Sequence, residues 1–258
     1  MIDSHAHLDD ERFDKDRDEV IRRAAGAGLE LIVCPGTDLA SSRGCLELAG
    51  RYDGVAAAVG MDRDAARAVN DASLAELAHL ARAERCVAIG EIGLDYHYDS
   101  TPRDEQRAAF EAQVELAAAL GLPVIVHCRE AFDDCITVLE RAGPRGVMHC
   151  FSGDAETARR CCALGLMISF AGPVTYRGAD ALREAARAIP VEHLMVETDS
   201  PYLAPQAVRG KRNEPAFVVH TARFLADLLG LDYADLDRIT TANARRLFMR
   251  TAAPTADR

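Results

Sequence analysis

The sequence predicts a single α/β domain, a (β/α)8 barrel, on three observations. Short apolar, often β-branched runs recur eight times along the chain. Segments of helical period separate them, most closed by Gly or Pro, which is the pattern of repeated βα units feeding a parallel sheet. A length of 258 residues with 49% hydrophobic content suits a barrel of about 250 residues that remains one domain.

The eight runs are Met1-Ile2, Leu29 to Val33, Val55 to Val59, Val87 to Ile89, Val124 to Val126, Val147-Met148, Leu166 to Phe170 and Leu194 to Val196. Between the fourth and fifth, Thr101-Pro102 supplies an N-cap and an N1 proline. Apolar positions continue through Phe110, Val114 and Leu120, and Gly121 then Pro123 stop the helix. Ala155 to Leu164 stops at Gly165 in the same way, just before the seventh run. After the eighth, Phe217 to Leu229 and Leu236 to Phe248 are amphipathic and are expected to complete an outer ring of helices. Asp199 to Pro215 reads as a long loop, which in compact domains often carries function. No shift of composition divides the chain, so residues 1–250 are assigned to the barrel and residues 251–258 to a flexible tail.

Composition narrows the function. A net charge of −11 argues against a protein that coats nucleic acid through a broad basic surface, while leaving room for a local basic patch. The eight cysteines form no CxxC pair, in a chain far longer than a stapled mini-domain, so they read as reduced thiols. Cys34, Cys86, Cys128 and Cys150 lie in or beside the apolar runs, where a free thiol behaves as a small buried hydrophobe. The chain opens on Met1-Ile2-Asp3-Ser4-His5 with no basic segment leading into an apolar run. Its longest apolar stretch, Leu116 to Val126, is interrupted by Gly121 and Pro123. These features predict no signal peptide, no membrane span and a cytoplasmic location. No obligate protein partner is indicated.

A parallel barrel places its active site at the C-terminal ends of its strands. His5 and His7 follow the first run, Glu91 the fourth, His127 the fifth, His149 the sixth and Asp199 the eighth, so these side chains are expected to converge. His5-Ala6-His7 has the alternation of an extended chain, which turns both imidazoles to one side. Four imidazoles and two carboxylates exceed the needs of one tetrahedral ion. They predict two divalent ions, Mg, Mn or Zn, sharing a bridging carboxylate, with Glu91 as the bridge. Such a pair makes hydroxide accessible from water near neutral pH. Asp199 can hold one ion and relay the water's proton. The reading is a two-metal hydrolase with Glu91 and Asp199 as its catalytic carboxylates.

Longer motifs surround these residues: Asp3-Ser4-His5-Ala6-His7-Leu8, Gly90-Glu91-Ile92-Gly93-Leu94-Asp95-Tyr96, Val126-His127-Cys128-Arg129-Glu130-Ala131, His149-Cys150-Phe151-Ser152-Gly153, Glu197-Thr198-Asp199-Ser200-Pro201-Tyr202-Leu203-Ala204-Pro205 and Arg209-Gly210-Lys211-Arg212-Asn213-Glu214-Pro215. Over nearly the whole chain this set resembles the amidohydrolase superfamily and, more narrowly, the TatD-type metal-dependent deoxyribonucleases. The resemblance implies a TIM barrel, a dinuclear divalent-metal centre and hydrolysis of phosphodiester bonds in DNA, often from the 3′ end. The implied partner is DNA as single strands or 3′ ends. By the same resemblance His5, His7 and Asp199 hold one metal, His127 and His149 the other, with Glu91 between them. The chain's two lysines, Lys15 and Lys211, lie away from strand ends, so the carbamylated bridging lysine of phosphotriesterase-like relatives has no counterpart.

One departure bears on substrate. The family pattern carries Gly-x-His-Pro after the third strand, and this chain reads Gly60-Met61-Asp62-Arg63. An aspartate there repels a phosphate unless it is metal-bound, protonated or paired, for example with Arg63. Asp62 is therefore placed among the substrate residues together with Arg129, Arg209 and Arg212, whose guanidinium groups match phosphate oxygens. Tyr202, as a stacking ring, and His97, in the loop after strand four, complete the set. His79, His193 and His220 are expected outside the site. The same metal site also suits a barrel amidohydrolase acting on a small amide, lactone or aminoacyl ester. Convergent arginines in the cavity would favour phosphate, and an apolar cavity with one orienting group would favour the carbonyl substrate.

Overall fold

The computed structural model describes residues 1–98 and 101–249. Among them eight strands follow in chain order: β1 (Ile2–Asp3), β2 (Leu31–Pro35), β3 (Val55–Val59), β4 (Cys86–Asp95), β5 (Val124–Arg129), β6 (Gly146–Met148), β7 (Met167–Phe170) and β8 (Leu194–Val196). Each pairs in parallel with the next. The seam between β8 and β1 is drawn together by the Ser4 N–H donating to Val196 O at 3.2 Å and by a parallel bridge from Ala6 to Ser200. The helices are α1 (Arg17–Gly26), α2 (Leu39–Arg51), α3 (Asp71–Leu80), α4 (Arg103–Leu120), α5 (Phe132–Ala142), α6 (Ala155–Ala163), α7 (Asp180–Ala188), α8 (Val218–Leu229) and α9 (Tyr233–Phe248). This is the single-domain (β/α)8 barrel that the periodicity predicts. No helix among the described residues is long and apolar enough to cross a membrane. The expected tail at 251–258 lies outside the described residues.

Alternation along the strands sorts their side chains into two apolar layers. One residue from each strand, from Ile2 and Val33 through to Met195, packs into one cluster. Their neighbours, among them Ile32, Val59, Val126 and Val196, pack outward in a second cluster with the helices. Leu247 and Phe248 of α9 join the first cluster, and Asn243 Nδ2 donates to Val191 O and Leu194 O at the start of β8. The last helix therefore closes the N-terminal end of the barrel, a correction to the expected outer ring; α8 takes the outer place beside α7 and β8. That end-on closure leaves the opposite mouth for the site.

Several boundaries also differ from expectation, among them β2, which is shifted two residues on to Leu31–Pro35. β4 and β5 run on to Asp95 and Arg129, so Glu91 and His127 sit within strands rather than after them. Helix α4 starts one residue late, with Pro102 at the cap position and Thr101 buried before it, its carbonyl accepting from Gln106 Nε2. The segment from Asp199 to Pro215 is not uniform loop. It contains a short 3-10 turn at Gln206–Val208, and another begins at Pro215.

Candidate metal centre

The chain around Glu91 is set by close backbone approach. A side chain at Gly90 would place its Cβ 2.6 Å from Ile125 Cβ. At Gly93, where φ is +146°, it would stand 1.9 Å from His127 O. The two glycines let β4 press against β5 on either side of Glu91, and the β4–β5 register shifts between Ile89 and Ile92. The Glu91 N–H turns away from that ladder and donates to Gly36 O at 2.8 Å. At β1 the alternation behaves as the sequence predicts: His5 and His7 present their Nε2 atoms 3.3 Å apart.

All six predicted side chains meet, in two groups. His5 Nε2, His7 Nε2, Glu91 Oε2 and Asp199 Oδ1 form the first, with separations of 3.2–3.8 Å. His127 Nδ1, His149 Nε2 and Glu91 Oε1 form the second, with separations of 3.1–3.3 Å. Tetrahedral coordination with bonds of about 2.0–2.2 Å needs donor atoms roughly 3.3–3.6 Å apart, so both groups have the spacing of a divalent-metal site. Glu91 offers one oxygen to each, as a bridging carboxylate must.

The electrostatics agree with the spacing. Burial alone would raise the Glu91 carboxyl, but His149, His127 and His5 outweigh it and hold it well below the ordinary carboxylate range. Burial opposes charge on His7, yet Asp199 and Glu91 push that imidazole up to about 9. Burial likewise opposes His149, and Glu91 and Glu197 raise it. Burial, followed by the charge of His149, lowers His5. A field that favours protons on His7, His127 and His149 would equally draw a divalent cation to the same atoms, where it would displace those protons.

Comparison with known proteins decides the family. The model of the TatD related DNase family matches residues 2–249. The chain is 41% identical over 251 residues to an uncharacterized metal-dependent hydrolase, YabD, of Bacillus subtilis, covering 96% of this chain and 98% of that protein. It is 38% identical over 263 residues to the 3'-5' ssDNA/RNA exonuclease TatD of Cronobacter sakazakii, covering 98% of this chain and all 100% of the relative. The crystal structure of YJJV, a TatD homolog from Escherichia coli, superposes with a TM-score of 0.92 at 30% identity over 97% of this chain and 98% of that one.

The chain belongs to the TatD-related DNase family. It is a metal-dependent hydrolase.

Within this TatD-family barrel, two carboxylates to which the sequence pattern assigned no role stand behind the imidazoles. Asp95 Oδ2 accepts from His127 Nε2 at 3.0 Å, which fixes the tautomer with Nδ1 free for the centre. Burial opposes ionisation of Asp95, but the His127 contact holds it at about 2. Glu197 Oε1 lies 3.4 Å from His149 Nδ1 and accepts from the Cys150 N–H at 2.6 Å. For Asp95 the available signal was period two, since it lies four residues on from Glu91 in β4; Glu197 had no such signal, because β8 ends at Val196 and Asp199 has a φ of +55°.

The centre floors a cavity of about 720 Å³. Of the predicted substrate residues, Asp62, Arg129 and Tyr202 line it. Arg129 lies over the Tyr98 ring, 5.1 Å from its centroid. Asp62 is not a solvated loop acid. Burial, followed by the charge of Glu91, raises its carboxyl to about 6. Nor is it paired with Arg63, which turns into the cavity toward Asp95, at 3.6 Å, and His127 Nε2, at 3.4 Å. The remaining three lie outside the cavity lining. His97 pairs with Glu130 at 2.7 Å. Arg209 stacks on Tyr176 at 4.2 Å. Arg212 forks onto Asp16 at 2.7 and 2.8 Å, tying its loop to the start of α1. As expected, His193 lies at the far end of the barrel, His79 on α3 and His220 on α8.

Proposed function

We propose that this chain is a two-metal phosphodiesterase that removes nucleotides from the 3′ end of single-stranded DNA. The observation that carries the reading is the split of the Glu91 carboxylate, one oxygen toward His5 and His7 and the other toward His127 and His149. His5, His7, Asp199 and Glu91 would hold one divalent ion, and His127, His149 and Glu91 the other. Mg, Mn or Zn bound there would supply Lewis acidity and a water acidified toward neutral pH.

The chain's own groups do the rest. Asp199 stays ionised, because His7 and His5 outweigh its burial and keep it below the ordinary range, so it can take a proton from the attacking water. Asp95 keeps the His127 ring in register through its hydrogen bond, and Glu197 sets a carboxylate charge 3.4 Å behind His149 Nδ1. Arg129 and Arg63 offer guanidinium N–H groups to phosphate oxygens, Arg63 from a position where it also pairs with Asp95 at 3.6 Å and Asp64 at 3.4 Å. Tyr202 and Tyr98, both exposed at the cavity, offer rings to unstacked bases. The exonuclease name of a full-length relative supports the substrate and the polarity.

The test is a single strand of DNA labelled at either end and incubated with the protein and Mg²⁺, Mn²⁺ or Zn²⁺. The expected result is early release of a 3′ label and a ladder shortening toward a 5′ label. Glu91→Gln is expected to slow both by at least about 100-fold. No cleavage with any metal, together with turnover of a carboxyl ester or amide, would overturn the reading.

A further inference from the structure

A second group of ligand-type side chains stands apart from the imidazoles: Asp9, Cys34 and Cys45. Cys34 is on β2 and Cys45 on α2, and both are fully buried. Their Sγ atoms are 3.3 Å apart, and Cys34 Sγ lies 3.7 Å from Asp9 Oδ1. The three donor atoms all fall within 4.8 Å of one another. The Cys34 thiol points its S–H at the Asp9 carboxylate, which adds an anionic oxygen donor to the two sulfurs. Here the carboxylate also lines the active cavity, so it joins the buried sulfurs to solvent.

Two sulfurs and one oxygen are a donor set that selects soft or borderline cations such as Zn²⁺ and Cd²⁺ over Mg²⁺ and Mn²⁺. With zinc–sulfur bonds of about 2.3 Å, tetrahedral geometry places the sulfurs roughly 3.8 Å apart. The pair therefore has to open by only about half an ångström to accept an ion. We propose that Asp9, Cys34 and Cys45 bind one thiophilic divalent cation at the edge of the active cavity, in a site distinct from the imidazole centre. On binding, two sulfur–metal bonds and one oxygen–metal bond form and two S–H bonds break. The two protons pass to solvent by way of the Asp9 side of the cavity. Water from the cavity takes the fourth position.

The full chain, its imidazole centre first saturated with Mn²⁺, is titrated with Cd²⁺ while the sulfur-to-cadmium charge-transfer absorption is followed. Cadmium held by imidazole and carboxylate gives no such band, so exchange into the main centre is silent. The expected band saturates at one cadmium per chain and is suppressed by prior addition of Zn²⁺. It is lost in Cys34→Ser and in Cys45→Ser, each of which removes one of the two sulfurs, and persists in Cys135→Ser. That last residue hydrogen-bonds with Cys128 elsewhere in the barrel. A wild-type chain without the band, or a band that survives either Cys34→Ser or Cys45→Ser, overturns the proposal. Where a variant fails to fold by circular dichroism, cadmium NMR of the wild-type chain decides. A resonance in the range of two-sulfur ligation supports the site, and resonances only in the nitrogen and oxygen range, or in the range of three sulfurs, overturn it.

Discussion

Asp95 touches no candidate donor atom of the centre except through His127, and that makes it a positioning residue whose loss is measurable. Asp95→Asn keeps the shape but removes the charge that holds the Nε2 proton, so the ring loses its preference for presenting Nδ1. Turnover and metal affinity are both expected to fall about 10–100-fold, with an unchanged circular dichroism spectrum. Undiminished metal affinity, read by calorimetry, would contradict the role. Asp62 sets a pH dependence instead. With its carboxyl raised to about 6, it is neutral below that pH and anionic above it, so its repulsion of a phosphate switches on as pH rises. KM for DNA is expected to climb through pH 6, and Asp62→Asn to flatten the climb while leaving the kcat profile in place. At this scale the sequence was informative where chemistry repeats with strand period: the six clustered side chains could be read from position alone. Arg63 and Arg212 could not, because the direction of a long side chain in a loop depends on neighbours far along the chain, Asp95 for one and Asp16 for the other.

Strand β4 shows why element boundaries were harder to read than elements. Its first half, Val87 to Ile89, is an apolar run, but the second half carries Gly90, Glu91 and Gly93, residues that lower strand propensity and read as loop. The backbone continues as strand because those glycines admit β5 at contact distance. Gly93→Ala is therefore expected to be severe: a Cβ 1.9 Å from His127 O, at φ +146°, forces β4 from β5 and displaces both Glu91 and His127. A loss of at least about 1–3 kcal/mol in urea unfolding is expected, together with loss of activity. Gly26→Ala provides the opposite sign. That glycine ends α1, and a Cβ added there would meet nothing within 4 Å, so the substitution is expected to stabilise by about 0.5–1 kcal/mol. Equal effects at the two positions would remove the close-approach account of the motif.

The barrel as a whole was legible because its signal repeats: eight strands with helices between them leave little choice of topology once the runs are parallel. The role of α9 was hidden, since an amphipathic period says that one face is buried without saying whether it lies against the barrel wall or its end. Charge is the property that belongs to the entire molecule. The chain carries −11, and acids line the cavity beside the centre at Asp9, Asp10, Asp62 and Asp64, so a polyanion gains nothing from the general field and depends on local contacts. The arginines that line the cavity are Arg63 and Arg129. Two phosphates neutralised on a single strand release about 1.4 counterions. A plot of log Kd for a short oligonucleotide against log salt is thus expected to have a slope magnitude of only roughly 1.4, and Arg129→Ala to lower it by about 0.7. A steep dependence, of the kind produced by many phosphate contacts, would mean that the strand is held by a surface outside this cavity. Arg209, exposed and stacked on Tyr176, is then the residue to substitute next.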